Sequence, residues 1–153
     1  MDNTRKIRYV RILILSLAFF LFSLSLLLFL ISNHKSRRLF IFPSVDEGKY
    51  VVEYRYLPNN PVQGDLNLFL DELLLGSGVE RTKLLFARGT KVNSCFVRKG
   101  TLYLDLSAEL LQSGYGVIDI KDGISLLKKN IHKNFFGIWK IEVFVDGKIA
   151  YED

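Results

Sequence analysis

One uncharged apolar segment near the N-terminus constrains this chain more than any other feature. It begins at Ile12 and ends at Ile31, and its 20 residues comprise 17 apolar side chains and three serines, without charge, glycine or proline. As an α-helix the segment is about 30 Å long, the thickness of the hydrocarbon core of a bilayer. A helix in a soluble core is usually amphipathic, whereas this one is apolar on every side. The segment therefore predicts a helix that inserts in a lipid bilayer.

Basic residues flank the apolar segment and form what we call the membrane collar. Its members are Arg5, Lys6, Arg8, Arg11, Lys35, Arg37 and Arg38. Four precede the segment and three follow it, so charge bias places the N-terminus in the cytoplasm by a slim margin. The apolar run exceeds the ~7–15 residues of a signal-peptide core, and no small-residue cleavage pattern follows it. We therefore interpret it as an uncleaved signal anchor.

The division of charge along the chain narrows the choice of partner. The whole chain has 21 Lys and Arg against 16 Asp and Glu, a net of +5. Residues 1–38 hold seven basic residues and one acid, a net of +6, which leaves −1 on residues 39–153. The high isoelectric point thus belongs to the anchor, and the main argument for nucleic-acid binding disappears. We predict no nucleic-acid partner.

These observations divide the chain into four parts. We expect a basic cytoplasmic N-terminus at residues 1–11, a transmembrane signal anchor at 12–31, a basic tether at 32–38 and an extracytoplasmic domain at 39–153. The chain has a single cysteine, Cys95. An intrachain disulfide and a metal site built on paired cysteines are therefore excluded.

Alternating apolar patterns predict the elements of the domain. Strands are expected at residues 39–43, 49–57, 91–98, 101–107 and 139–145, and the repeats of Leu, Ile and Phe predict helices after residues 60 and 119. Asn60 before Pro61 has the pattern of a helix N-cap, and Gly76 that of a C-cap. The order β-β-α-β-β-α-β predicts an α+β fold. We expect a small two-layer sandwich with a mostly antiparallel sheet and two helices on one face.

The sequence offers no group of residues typical of an active site. His34 lies beside the collar, and His132 reads as a surface histidine rather than a catalytic base. The acidic pairs Asp71–Glu72 and Asp119/Asp122 have the positions of helix-terminal carboxylates. Cys95 falls on the buried side of a strand, with Val97, where a thiol usually acts as a small apolar residue. We therefore predict no catalytic residue, no cofactor and no metal.

Tyrosines alternate along the second predicted strand. Tyr50, Tyr54 and Tyr56 share one face of it. Such a stripe is typical of a recognition surface, and equally of a cover over the open face of a sheet. Both interpretations stay open at this point.

Three stretches of the domain resemble the GerMN domain of the spore germination protein M type. They are residues 39–58, residues 70–111 and WKIEVFVDGKI at residues 139–149. The middle stretch is the most specific, with Gly-Thr before a strand, a glycine-turned hairpin and Tyr-x-Asp-Leu-Ser at 103–107. The matching motif residues, to which we assign structural roles, are Gly89, Thr90, Gly100, Tyr103, Asp105, Leu106, Ser107, Asp146 and Gly147. The resemblance covers essentially all of residues 39–153, as a single copy.

The resemblance implies a bacterial domain without enzymatic activity that lies outside the cytoplasmic membrane. We therefore expect a single-pass membrane protein whose domain is a scaffold or assembly factor of the cell envelope. Its expected partner is another protein or a second copy. The alternative is a module that binds peptidoglycan or another envelope glycan through the tyrosine stripe.

Overall fold

The computed structural model describes residues 3–31, 35–112 and 114–150 and divides the chain into two compact units, Met1–His34 and Lys35–Asp153. The first unit is helix α1, Asn3–Ile31. Within it, Ile7–Leu30 is long and apolar enough to cross a membrane, a property that a signal sequence shares. The helix is thus a candidate membrane span by length and composition.

The second unit opens with a long hairpin. Strand β1, Lys35–Pro43, pairs antiparallel with β2, Tyr50–Pro58, in an unbroken register from Lys35 opposite Pro58 to Pro43 opposite Tyr50. β1 begins four residues before the predicted Leu39, because the pairing with β2 continues to Pro58. Lys35, Arg37 and Arg38 of the collar therefore lie in the folded domain and not in a separate tether.

Helix α2, Asp65–Leu75, follows the hairpin. The predicted N-cap at Asn60 is wrong. Asn60 has a left-handed φ of 51°, whereas an N-cap residue is typically extended, and Gly64 precedes the first helical residue instead. The predicted end at Gly76 is confirmed, with a φ of 90° that favours glycine. The helix buries Phe69, Leu70 and Leu73.

The other strands form a second sheet in the order β3-β4-β5-β6. They are Val92–Arg98, Thr101–Leu106, Lys140–Val145 and Lys148–Ile149. β4 and β5 are parallel, and the remaining neighbours are antiparallel. A parallel pair needs a long crossover. Here the crossover contains a short 3₁₀ helix, Ala108–Leu111, and helix α3, Ile120–Asn134.

The predicted α+β class and the order of its helices and strands are confirmed, with two differences. The strands form two sheets, and a short strand, β6, follows the Asp146–Gly147 turn. Leu102, Leu104 and Leu106 are fully buried as their alternation predicts. Val97, expected on the buried side, is 48% exposed, since it lies near the end of β3, an edge strand of the sheet.

Two asparagines of α3 close the outer edge of β1. The buried side chain of Asn130 accepts a hydrogen bond from the Ile41 N–H at 2.7 Å and donates one to the Ile41 carbonyl at 2.9 Å. Asn134 does the same at Leu39, at 2.8 and 2.7 Å. Each amide thus makes the two bonds that a neighbouring strand would make. Since the asparagines are four residues apart, they lie on one face of the helix.

The loop after α2 covers the same edge beyond Ile41. The Lys83 N–H donates to the Pro43 carbonyl at 2.8 Å, and the Val45 N–H donates to the Arg81 carbonyl at 2.9 Å. Leu85 and Phe86 of the same loop are buried in the core. This edge is therefore covered from Leu39 in β1 to Val45 in the turn that follows the strand.

Candidate functional site

The exposed face of the hairpin carries what we call the tyrosine row, which consists of Tyr50, Val52, Tyr54 and Tyr56. These four side chains of β2 are between 50% and 64% exposed. They alternate with Val51, Glu53 and Arg55, which point to the other face. The row is therefore an open surface of apolar and aromatic side chains on the folded domain.

Two cations lie against the tyrosine row. The guanidinium carbon of Arg37 is 3.9 Å from the ring centre of Tyr54, and the Lys129 amine is 5.0 Å from that of Tyr50. Both distances fall within the range of a cation–π interaction. Arg37 reaches its ring because β1 places it opposite Tyr56, one step along the face. The row is thus an aromatic surface of positive character.

A network of ion pairs fixes the opposite face of β2 to helix α2. Arg55 donates to the Glu53 carboxylate at 2.8 Å and to the Glu72 carboxylate at 2.9 Å. It also donates to the main-chain carbonyls of Glu72 and Gly76, at 3.0 and 2.6 Å. These carbonyls at the C-terminal end of α2 would otherwise lack a partner. Arg55 therefore caps the helix and holds the strand that carries the row.

Glu53 completes this network. Its carboxylate accepts hydrogen bonds from Arg55, from the Ser77 hydroxyl at 2.9 Å and from the Gly78 N–H at 3.3 Å. The hydrogen bond from Arg55 is the main cause that lowers the pKa of Glu53 below its ordinary value of 4.5, against a smaller opposing effect of burial. Glu53 therefore remains charged at neutral pH and orders the loop after α2.

A polar cleft borders the row at Tyr50. It has a volume of about 330 Å³ and lies between the β1–β2 turn and α3. Charged side chains from three segments line it: Glu47 and Lys49 of the turn, Lys83 of the loop after α2, and Asp122 of α3. Tyr50 therefore belongs both to the cleft and to the row.

The family-motif residues lie in strand β4 and in the turns and loops beside the strands of the four-stranded sheet. Gly100 turns the β3–β4 hairpin with a φ of 76°, and the Trp139 ring packs where a side chain would begin. Tyr103 stacks on Phe96 with ring centres 5.1 Å apart. Thr90 is buried and donates to the Ala87 carbonyl at 2.7 Å, directly after Gly89.

The remaining motif residues meet at the other end of the sheet. Asp105 accepts a hydrogen bond from the Gly147 N–H at 3.0 Å, and the Asn93 amide donates to Asp146 at 3.1 Å. The Ser107 hydroxyl accepts from the Lys91 N–H at 3.0 Å. Asn93 was not predicted, since a lone asparagine in a strand carries no signal of its distant partners. This group fastens turns to strands.

The described residues contain no group of three His, Cys, Asp or Glu placed to hold a metal ion. Burial, with a smaller effect of Asp71, raises the pKa of the Cys95 thiol to about 11. His132 is exposed, with its Nδ1 3.0 Å from the Ile138 carbonyl oxygen. Burial, followed by the neighbouring Glu72, raises the pKa of Asp71. His34 lies outside the described residues.

Two solved structures share the fold. The tandem GerMN domains of the sporulation protein GerM from Bacillus subtilis align with a TM-score of 0.60 and 18% identity, over 75% of this chain and 40% of that one. The first GerMN domain of the same protein aligns with a TM-score of 0.56 and 18% identity, over 76% of this chain and 87% of that one.

The second unit therefore has the fold of a GerMN domain, as the motifs led us to expect. This chain spans 40% of the length of the tandem structure. No family model matches the sequence, and no curated protein matches it.

Proposed function

We propose that this chain is a membrane-anchored domain of the bacterial cell envelope that acts as a scaffold through protein contacts. The observation that carries the proposal is the tyrosine row, because large open aromatic surfaces on a folded domain are typical of protein interfaces. Tyrosine and arginine are also the residues that contribute most often to binding energy. Arg37 and three tyrosines meet on this one face.

The location outside the cytoplasm is part of the same proposal. Helix α1 has the length and composition of a membrane span. The four basic residues before it, against three after it, favour a cytoplasmic N-terminus. The GerMN fold is found in a sporulation protein, which supports an extracytoplasmic domain without assigning a role in sporulation to this chain.

Photo-crosslinking in native membranes tests the proposal. A photoreactive residue replaces Tyr56 in the full chain, and the matched control carries it at Leu111, which is also exposed but lies outside the row. We expect Tyr56 to capture a specific protein that the control does not capture. If neither position captures a protein and deletion of the protein leaves the envelope architecture unchanged, the proposal fails.

A glycan-binding module is the second candidate, favoured by one specific observation. The tyrosine row continues into the polar cleft at Tyr50, and an aromatic surface beside polar groups can bind a sugar by stacking and hydrogen bonds. Purified cell wall should then retain the protein. Tyr54→Ala and Tyr56→Ala should reduce the retention strongly, whereas Phe96→Ala, on the other sheet, should not. If cell wall does not retain the unmodified protein, this candidate is excluded.

A further inference from the structure

Within the part of the chain that the structure describes, strand β2 has β1 on one side and no neighbouring strand on the other, so one of its edges is free. In an antiparallel pair, alternate residues direct their main-chain N–H and C=O toward the partner strand and away from it. The Ser44 N–H donates to the Lys49 carbonyl, and Asn130 and Asn134 bind Ile41 and Leu39 on the far side of β1. Even-numbered residues of β1 therefore face β2.

The alternation along β1 also determines which main-chain N–H and C=O groups of β2 face away from β1. Because Phe40 is opposite Glu53 and Phe42 opposite Val51, the odd-numbered residues of β2 bond to β1. The main-chain groups of the tyrosine row then point away from β1. Within residues 35–112 and 114–150, no other backbone pairs with them. The same four residues thus expose both their side chains and their hydrogen-bonding groups.

The other sheet edges of the domain are partly covered, irregular or very short, which sets β2 apart. The edge of β1 is closed by asparagines and by a loop, β3 has a register shift between Val92 and Ser94 and contacts α2, and β6 has two residues. Irregular, covered or very short edges are the devices by which proteins prevent strand addition. β2 has nine residues in regular register, with proline only at its last position, Pro58.

We propose that β2 pairs antiparallel with β2 of a second copy of this chain, so that the two hairpins form one continuous four-stranded sheet. This inference deepens the proposed function, on which it rests, by naming the partner. Strand addition supplies main-chain hydrogen bonds, and the side chains on both faces select the register.

Charge and side-chain pairing favour a second copy in a register centred on Tyr54. There Glu53 of one copy is opposite Arg55 of the other, and Tyr54 is opposite Tyr54. Centring on Glu53 or Arg55 would instead place like charges opposite each other, which destabilises a sheet. In the proposed register Val52 faces Tyr56 across the interface, an aliphatic–aromatic pair that stabilises strands. The sequence of β2 is thus complementary to itself.

The cations of the tyrosine row do not oppose this pairing. Arg37 lies on β1, so two β2 strands separate it from β1 of the second copy. At about 4.8 Å between strands, the two outer strands are about 14 Å apart, beyond the screening length at physiological salt. Each Arg37 remains stacked on Tyr54 of its own chain.

Disulfide trapping of the full chain in lipid nanodiscs tests the register. In a Cys95→Ser background, Tyr54→Cys places two thiols opposite each other, with Cα atoms at about 5.5 Å, within the range that a disulfide spans. Mild oxidation should give a species of twice the 17.6 kDa chain mass. The control is Phe96→Cys, an exposed aromatic position on β3. If Tyr54→Cys forms no more of this species than the control, the inference is overturned.

Val52→Pro tests the role of the main chain. The Val52 N–H points outward, so proline removes a hydrogen bond of the interface and none of the β1–β2 ladder. We expect loss of the Tyr54→Cys disulfide with an unchanged circular dichroism spectrum. Val52→Lys provides a second variant that keeps the main chain intact, removes the aliphatic partner of Tyr56 and adds a charged edge residue of the kind that prevents strand addition. Trapping that persists in both variants would overturn the inference.

The photo-crosslink at Tyr56 separates this inference from the proposed function. Capture of a second copy supports both. Capture of a different protein alone overturns the β2–β2 pairing and leaves the proposed function standing. Capture of nothing, with disulfide trapping at the level of the control, overturns the β2–β2 pairing, and the proposed function fails as well if deletion of the protein leaves the envelope architecture unchanged.

Discussion

Asn130 is a fully buried polar residue that joins α3 to β1. Its amide also donates to the Leu126 carbonyl at 2.9 Å, so that its two N–H groups and its oxygen all have partners. A buried amide is tolerated only when its hydrogen bonds are made. Asn130 therefore couples α3 to β1 specifically, whereas an apolar side chain would leave the Ile41 main chain unpaired.

Replacing Asn130 with alanine should destabilise the domain strongly. The change leaves the Ile41 N–H and C=O without partners, at a cost of about 1–3 kcal/mol for each buried group. We expect the free energy of unfolding to fall by about 2 kcal/mol or more. Urea denaturation followed by the fluorescence of Trp139, the single tryptophan, measures it. Ser125→Ala, at an exposed position of the same helix, is the control, and equal stability of the two variants would contradict the assigned role.

The acid stability of the domain should depend on Glu53. A carboxyl group whose pKa is lower in the folded state stabilises the fold above its unfolded pKa, and this contribution is lost as pH falls. Unfolding should therefore become easier as pH falls below 4.5. Glu53→Gln should be less stable at neutral pH and should lose less stability over the same range. Exposed Glu80→Gln is the control, and a pH profile of Glu53→Gln like that of the unmodified chain would disprove this account.

At the scale of single residues, the sequence predicted the features that depend on residues close by in the chain, such as burial along a strand and the end of a helix. The alternation of Leu102, Leu104 and Leu106 and the glycine end of α2 are local patterns. Arg55, in contrast, gave no sign of its capping role. Its partners lie 17 and 21 residues away in the chain and approach only after α2 has packed against the hairpin.

At the scale of elements, α3 depends on a close approach to the loop after α2. Gly123 lies on the buried side of α3, and a Cβ atom there would lie 2.5 Å from the Leu85 carbonyl oxygen and 2.8 Å from the Phe86 ring. Glycine weakens a helix by about 1 kcal/mol relative to alanine. Here the absence of a side chain allows the loop to bury Leu85 and Phe86 against the helix.

Gly123→Ala should therefore destabilise the domain although alanine favours a helix. The main-chain oxygen of Leu85 cannot move away without disturbing the loop, and we expect the cost of the clash to exceed the gain of about 1 kcal/mol. Gly137→Ala is the matched control, since nothing lies within 4 Å of its Cβ position. Thermal unfolding of both variants measures the difference. An increase in Tm for Gly123→Ala would refute the close approach.

The elements also show where local prediction stops. The hairpin was predicted from residues 39–57, and the structure extends it to Lys35. Arg37 and Arg38 have the composition of a tether, yet one stacks on Tyr54 and the other is 3.4 Å from Asp65. From sequence alone, basic residues beside an apolar helix are assigned to the membrane interface. Only the fold shows that Arg37 and Arg38 have partners in the domain.

At the scale of the whole molecule, the proposed topology has a direct test. Val62 is fully exposed in the folded unit. In a Cys95→Ser background, Val62→Cys should react with a thiol reagent that does not cross the cytoplasmic membrane. The reagent is added to intact cells whose outer layers have been made permeable to it. The matched control is Ile7→Cys, at the N-terminal end of the candidate span, which under the proposed topology should react only after the membrane is opened. The reverse pattern would invert the proposed orientation.

The open edge of β2 illustrates how tertiary structure selects a surface. The sequence showed a stripe of tyrosines and left open whether it covers the sheet or recognises a partner. The exposed side chains and the outward direction of the main-chain groups place the stripe on an open edge. The opposite edge of the same hairpin is covered by α3 and by the loop after α2. Whether an edge is open depends on which element lies beside each strand of the hairpin, and the sequence of one strand does not contain that information.

The sequence by itself determined the apolar helix and the order of helices and strands. These properties depend on residues close together in the chain, where hydropathy, periodicity and turn chemistry act. Only the tertiary structure decided that the strands form two sheets, that β4 and β5 are parallel, and that Asn130 closes one edge while β2 stays open. The physical reason is distance along the chain: the hydrogen bonds between Asn130 and Ile41 join residues 89 positions apart, and they form only when the core brings α3 to β1.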